Sequence, residues 1–319
     1  MNAGELAGRE ATVEAPATIA NLGAGYDCLG MAVELLLRVT VAARTQEAGR
    51  PDVELEVEGE GADELAADRS NRFVVALEAA LTAVDIGVAR TAWTIRMSNP
   101  IPLERGLGSS AAATVAGIVA AGELAGRSLD QGAALEIATR IEGHPDNVAA
   151  GLLGGIVASI SLPDRVEAVR LDPPGDVAVI AWIPELRLAT SEMRRVLPDS
   201  VPRADAVANL ARVAVGVAGL ASGSTDVIRL LTEDRLHEPY RSEVYPALPE
   251  LLDAARAAGA VGACLAGAGS TVIAFVDESD KSTSDAVTDA LRRTASRLAL
   301  PGRAARFLPT GSGARVTSS

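Results

Sequence analysis

The stretch Asn99–Gly122, NPIPLERGLGSSAAATVAGIVAAG, decides how this chain is read. Two prolines close an extended segment, Gly106 and Gly108 bracket a tight turn, and Ser109-Ser110 open a run of small apolar residues that reads as a buried helix. Glycines let backbone N–H groups converge, the first helical amides lack internal partners, and the helix dipole favours negative charge at that end. The turn therefore suits a phosphate, although the same pattern also serves as a plain turn ahead of an N-cap serine. It carries no Walker lysine, which excludes a P-loop NTPase at this position.

Composition narrows the classes. A chain of 319 residues buries a substantial core and is expected to form two domains. With 48% hydrophobic but only 3% aromatic residues, that core must be built from Ala, Val, Leu and Ile. The net charge of −13 disfavours nucleic acid or an anionic membrane as partner. Lys281 is the sole lysine, in a Ser/Thr/Asp-rich segment that reads as a solvated loop, so lysine catalysis is not expected. Cys28 and Cys264 share no metal-site spacing and read as reduced thiols. No basic-apolar-small leader precedes Ala11, and no uncharged run reaches the ~20 residues of a spanning helix. The expectation is a soluble, cytoplasmic protein, with a homodimer as the default assembly.

Outward from the opening stretch, residues 1–9 read as a frayed end, and strands are expected at Glu10–Ala15, Met31–Ala43, Val53–Glu58 and Thr91–Met97. A helix over Asn71–Val84 takes Ser70 as its cap. Ser128 with Gln131 forms a capping box for a helix ending near Ile141, and Glu142–Asn147 reads as a polar loop before a strand at Gly154–Leu162. Pro173-Pro174-Gly175 marks a domain border. Beyond it come a strand at Val177–Ile183, helices at Ala204–Leu220, Leu248–Ala258 and Ser284–Leu298, and a strand at Ala305–Leu308. Val261–Val276 is a strand pair interrupted by Ala266–Ser270, AGAGS. Interleaved helices and strands without a long βαβ repeat indicate α+β.

A second glycine-dense stretch, Ala15–Gly30 (APATIANLGAGYDCLG), presents one amide, Asn21, and one carboxylate, Asp27. Together with PIPLERGLGSSAAA and CLAGAGST, in that order, it resembles the three motifs of the GHMP small-molecule kinases. EGHPDNVAAGLLGG, TSEMRRVLP and HEPYR resemble segments of the branch that phosphorylates the amino acid L-homoserine on the route to threonine. The runner-up is another kinase of the superfamily, for mevalonate, shikimate or a sugar, and a non-catalytic nucleotide-binding regulator is the outlying alternative.

The resemblance implies an N-terminal domain, residues 1–172, like domain 2 of ribosomal protein S5, and a ferredoxin-like C-terminal domain, residues 173–319. It implies ATP as phosphoryl donor with Mg²⁺. ATP would lie on Pro102, Leu103, Glu104, Arg105, Gly106, Leu107, Gly108, Ser109, Ser110, Ala111 and Ala112, and Asn71 is either an adenine-pocket residue or a local cap. Ser110 and Glu136 would hold the metal, with Glu142 as the alternative carboxylate, and Asn147 is placed by its spacing of eleven residues from Glu136. Thr18 stands where mevalonate kinases carry a lysine, and Asn147 where they carry a catalytic aspartate. An amide takes no proton at neutral pH, so the hydroxyl would attack without a strong protein base. Asn147, Asn21 and Thr190 are the catalytic candidates, and Asn21, Asp27, His144, Arg194 and Arg241 would bind the substrate. His237 reads as a surface residue. Tyr26 and Ala24 depart mildly from the family pattern, which favours Phe and Pro there.

Overall fold

The computed structural model describes residues 6–317. The chain opens with a long antiparallel hairpin, β1 (Glu10–Ala20) and β2 (Leu29–Thr45), in which Val13 faces Val39. Next come β3 (Val53–Gly59), helix α1 (Arg72–Ala83) and β4 (Thr91–Asn99), and the crossover makes β3 and β4 parallel. Helices α2 (Ser109–Ala125), α3 (Gln131–Glu142) and α4 (Asp146–Leu153) precede the hairpin of β5 (Ile156–Ser161) and β6 (Val166–Leu171). These six strands and a short seventh, Arg315–Val316, form one seven-stranded sheet, and α2 lies against β1 and α1.

A second sheet begins at β7 (Val177–Pro184), an eight-residue strand that is buried throughout because helices cover one side and the first unit the other. Helices α5 (Thr190–Arg195), α6 (Arg203–Ala221), α7 (Ile228–Leu231), α8 (Glu238–Arg241) and α9 (Leu248–Ala257) lead to β8 (Gly262–Leu265) and β9 (Val272–Asp277). Helix α10 (Lys281–Arg297) and β10 (Gly302–Phe307) complete it. The strand order β10-β7-β9-β8, antiparallel throughout, is that of a ferredoxin-like sheet, and α9 and α10 share its core of Trp182, Leu251 and Leu291. The sheets change between Leu171 and Val177, beside the Pro-rich break. From Pro309 the chain returns to the first sheet, bridging to Val33 and adding β11 (Arg315–Val316) to β1, so the last residues do not stay with the second unit.

Several local readings change. Asn71, not Ser70, caps α1, accepting the Phe73 N–H at 3.0 Å. Asp130 rather than Ser128 caps α3, accepting the Ala133 N–H at 2.9 Å, because the helix starts two residues later than the capping box implies. Asp146 and Asn147 start a helix instead of ending a loop, and Lys281 opens α10 instead of sitting in one. Residues 1–5 of the supposed frayed end lie outside the described residues, whereas Leu6 is fully buried in the main core. Among the described residues one helix, Arg203–Ala221, has the length and apolarity of a membrane span, yet only 17% of its apolar window is buried.

Close contact between α1 and α2 depends on Gly117. A Cβ there would sit 2.4 Å from the Phe73 carbonyl oxygen. Helix propensity alone favours Ala over Gly by about 1 kcal/mol, but overpacking against a backbone costs about 1–3 kcal/mol. Gly117→Ala should therefore lower the urea midpoint with an unchanged m-value, and a raised midpoint would show that the two helices are free to separate.

Candidate active site

Three backbone segments meet between the sheets. The Thr18 N–H donates to the Leu107 carbonyl (3.1 Å), the Thr271 N–H to that of Arg105 (3.2 Å), and the Gly267 N–H to that of Ala20 (3.1 Å). Such proximity leaves no room for side chains. A Cβ on Gly106 would lie 2.0 Å from the Ala266 oxygen, one on Gly108 would lie 1.9 Å from Thr18 Oγ1, and both glycines have positive φ. Gly108 is the N-cap of α2 and provides no side-chain hydrogen bond, so the amides of the first turn have no side-chain acceptor. Above them opens a cleft of about 390 Å³.

Every residue from Pro102 to Ala111 lines that cleft, whereas Ala112 is buried beneath it with its N–H on the Gly108 carbonyl. Asn71 lines the cleft, and its Oδ1 caps α1 while its Nδ2 donates to the Ala66 carbonyl. At the α2 terminus Ser110 Oγ donates to Glu142 Oε1 at 2.9 Å, and Thr114 Oγ1 to the same oxygen at 2.8 Å. Glu136 neither lines the cleft nor makes a hydrogen bond among the described residues. It lies six residues before Glu142 on α3, about 9 Å along the axis and ~120° around it, so the two carboxylates do not share a face of the helix. Glu142 ends α3, where Gly143 turns the chain at φ 85°.

Asn147 Oδ1 accepts from Thr18 Oγ1 at 2.8 Å, placing the amide beside the phosphate-loop turn. Its neighbour Asp146, buried, accepts from His144 Nδ1 at 2.6 Å, and this hydrogen bond is the main reason the His144 pKa is raised. Asn21 is committed to the loop itself: Nδ2 donates to the Gly267 carbonyl and Oδ1 accepts the Asp27 N–H, with Asn21 and Asp27 both held at positive φ. Thr190 is exposed at the start of α5 and lines the cleft.

Arg194 grips Asp27 with two parallel bonds of 2.8 and 2.7 Å and reaches the Tyr26 hydroxyl at 3.0 Å. Burial pushes the Asp27 pKa upward, but Arg194 outweighs it and leaves the carboxyl below its usual value. Arg241 is 1% exposed and donates to the Gly267 carbonyl at 2.9 Å and the Met193 carbonyl at 3.3 Å. The Arg194 and Arg241 guanidinium carbons lie 5.8 and 5.4 Å from the Tyr26 ring centroid.

His237 is fully buried rather than at the surface. Its Nε2 meets the Gly23 carbonyl at 2.9 Å and its Nδ1 meets Arg241 Nη1 at 3.0 Å, while its ring stacks on Tyr26 at 5.2 Å. A carbonyl accepts and a guanidinium donates, so the ring is neutral with its proton on Nε2. Burial drives its pKa down to about 4, in keeping with that tautomer. The sequence signal for this residue was its place in HEPYR, next to Arg241 on the helical repeat.

Family profiles described as "GHMP kinases N terminal domain" and "GHMP kinases C terminal" match residues 71–155 and 220–297. The homoserine kinase of Deinococcus radiodurans is 40% identical over 270 residues, covering 85% of each chain. That of Caldanaerobacter subterraneus is 36% identical over 98% of this chain and 97% of its own. The chain belongs to the homoserine kinases of the GHMP superfamily. A crystal structure of homoserine kinase from Cytophaga hutchinsonii superposes with a TM-score of 0.84 at 27% identity over 97% of both chains. Mevalonate kinase from L. major, at 14% identity and a TM-score of 0.66, shares the fold.

One buried acid of this homoserine kinase family member supports the site from below. Glu238 Oε1 accepts the Leu265 N–H at 2.6 Å, and burial raises its pKa to about 8. The folded carboxyl thus keeps its proton up to about pH 8, whereas the unfolded one releases it near 4.5. The folded state binds the extra proton, so stability falls as pH rises through that window. Glu238→Gln keeps the acceptor and cannot ionise. Its melting temperature relative to the parent should climb between pH 4.5 and 8 and then level off; a difference independent of pH would show that Glu238 ionises normally.

Proposed function

We propose that the chain transfers the γ-phosphoryl group of ATP to the side-chain hydroxyl of L-homoserine, giving O-phospho-L-homoserine and ADP. The observation that carries this reading is the pairing of an anion-binding helix terminus with a charged pocket in one cleft. Pro102 to Ala111 would cradle the triphosphate on backbone amides, with Ser109 toward phosphate. Asp27 would take the substrate ammonium and Arg194 with Arg241 its carboxylate, a planar partner suited to guanidinium. Tyr26 and His237 would hold those two arginines in place.

Ser110 Oγ and Glu142 Oε1, two hard oxygen donors 2.9 Å apart at the phosphate end of the cleft, fit Mg²⁺, which binds through one or two carboxylates and completes its shell with phosphate and water. The metal, when bound, offsets phosphate charge in a protein that is itself acidic. The attacking oxygen bonds to phosphorus as the bond to the ADP oxygen breaks, and the hydroxyl proton leaves to phosphate oxygen or water. A loose transition state allows positioning and charge neutralisation to carry most of the rate. Thr18, Asn147 and His144, oriented by Asp146, would position the hydroxyl without acting as a strong base.

Incubation with ATP, Mg²⁺ and L-homoserine should release ADP well above the level without alcohol. Release with mevalonate or a sugar, but not with homoserine, would move the chain elsewhere in the superfamily. Glu142→Gln should lower kcat by ~10²-fold or more, because loss of a metal ligand removes several kcal/mol of charge stabilisation. Glu136→Gln should stay within a few-fold of the parent, and the reverse ranking in a Mg²⁺ titration would restore Glu136 as the ligand.

A further inference from the structure

Five arginines line the cleft: Arg72, Arg105, Arg187, Arg194 and Arg241. Four are committed by hydrogen bonds, Arg105 to Glu60 and the Glu185 carbonyl, Arg187 to both oxygens of Glu64, Arg194 to Asp27, and Arg241 to the Gly267 and Met193 carbonyls. Arg72 is the exception. Its Nη1 donates to the Ile141 carbonyl at 3.2 Å, while Nε stands 3.4 Å from Glu142 Oε1 in an ion pair that lacks a hydrogen bond. Nε and Nη2 therefore have no hydrogen-bond acceptor among the described residues, and the side chain is 48% exposed.

Helix stability does not account for this charge. Arg72 is the first residue of α1, where the dipole disfavours a cation, and the first turn has no acidic residue to offset it. The Ile141 contact ties α1 to the last turn of α3, but a neutral amide can make the same hydrogen bond. What the charge itself faces is Glu142. Oε1 of that carboxylate already accepts from Ser110 Oγ at 2.9 Å and Thr114 Oγ1 at 2.8 Å, whereas Oε2 accepts from no group among the described residues. Arg72 is thus the third and most loosely held donor at one oxygen.

The phosphate end of the cleft has few other cations. Lys281, the only lysine, opens α10 and does not line the cleft. A triphosphate stays anionic after it binds a divalent metal, and the amides of the glycine turn and the α2 terminus supply only partial charge. Arg72 is the one cleft arginine without a hydrogen-bonded carboxylate or a buried carbonyl to hold it.

We propose that Arg72 is a phosphate-binding residue that leaves Glu142 for phosphate oxygens when the metal-nucleotide complex enters, an inference that rests on reading the cleft as an ATP site. Two effects of opposite sign follow. A divalent cation alone must compete with the guanidinium for Glu142, so Arg72 weakens its binding. A metal-triphosphate complex offers the same guanidinium forked oxygen acceptors, so Arg72 strengthens its binding. The residue makes the site select metal together with nucleotide over metal alone.

Isothermal titration calorimetry on the full chain tests this, with Mn²⁺ alone and Mg²⁺ plus a nonhydrolysable ATP analogue as the two titrants. Arg72→Gln keeps a donor for the Ile141 carbonyl and loses the charge. It should raise the Kd of the Mg²⁺-analogue complex by about 10-fold or more, as loss of a hydrogen bond to a charged group does, and lower the Kd of Mn²⁺ alone several-fold. Arg72→Lys, which keeps the charge, should stay within a few-fold of the parent for both titrants. An unchanged affinity of Arg72→Gln for the analogue overturns the proposal. So does a loss for both titrants alike together with a lower urea midpoint, the result that a mere tie between α1 and α3 gives. A parent that binds no nucleotide overturns the ATP reading as well. Homoserine enters neither titration, so a different alcohol as substrate leaves these outcomes unaffected.

Discussion

Everything around the cleft depends on the close approach of three backbones at the turn Arg105–Gly108. Hydrogen bonds from Thr18 and Thr271 fix that turn from two sides, one from the first sheet and one from the second. The contact is possible only because Gly106 and Gly108 have no side chain to meet the Ala266 oxygen and the Thr18 hydroxyl. The same contact joins the two sheets, so the floor of the cleft and the junction between the sheets are one construction. A substitution that opened it would disturb the cleft and the packing of the sheets together.

Around that junction the protein keeps an unusual density of buried charge and polarity. Arg241, His237, Glu238 and Asp234 lie close together, each with a defined partner. Asp234 accepts the N–H groups of Leu236, His237 and Glu238 and the side-chain amide of Asn209, so a carboxylate holds the start of α8 in shape. His237 stays neutral because one nitrogen must donate to Gly23 and the other must accept from Arg241. Buried groups like these are costly unless satisfied, and full satisfaction gives the loop bearing Asn21 and Asp27 a single conformation. Arg194 and Arg241, which line the cleft, are thereby fixed before any ligand arrives, which limits the ordering that binding would have to impose.

The glycine-rich segments and their order were legible because their rules are local. A positive φ, a run of unpaired helix amides or an apolar strand such as VAVIAWIP leaves its mark within a few residues. The α+β class, the glycine turn ahead of α2, the strand-turn-strand around Ala266–Ser270 and the sheet change near Pro173 were all readable on those terms. Caps were less so: Asn71 and Asp130 displaced the serines beside them, since several adjacent residues can accept the same amide and tertiary contacts choose among them.

By itself, then, the sequence determined the turn at Gly106–Gly108, the helix behind it and the family to which the three motifs point. Only the tertiary structure decided which side chains meet. It brought Glu142, not Glu136, against Ser110 because the facing of a carboxylate depends on how α3 is rotated against α2, not on its distance along the chain. It buried His237 because α8 docks between Gly23 and Tyr26, far away in sequence. It also paired Asp27 with Arg194 across 167 residues, a partnership that no local pattern encodes. Spacing fixes geometry within an element, whereas contacts between elements are set by packing, and the charged end of the cleft is made almost wholly of the latter.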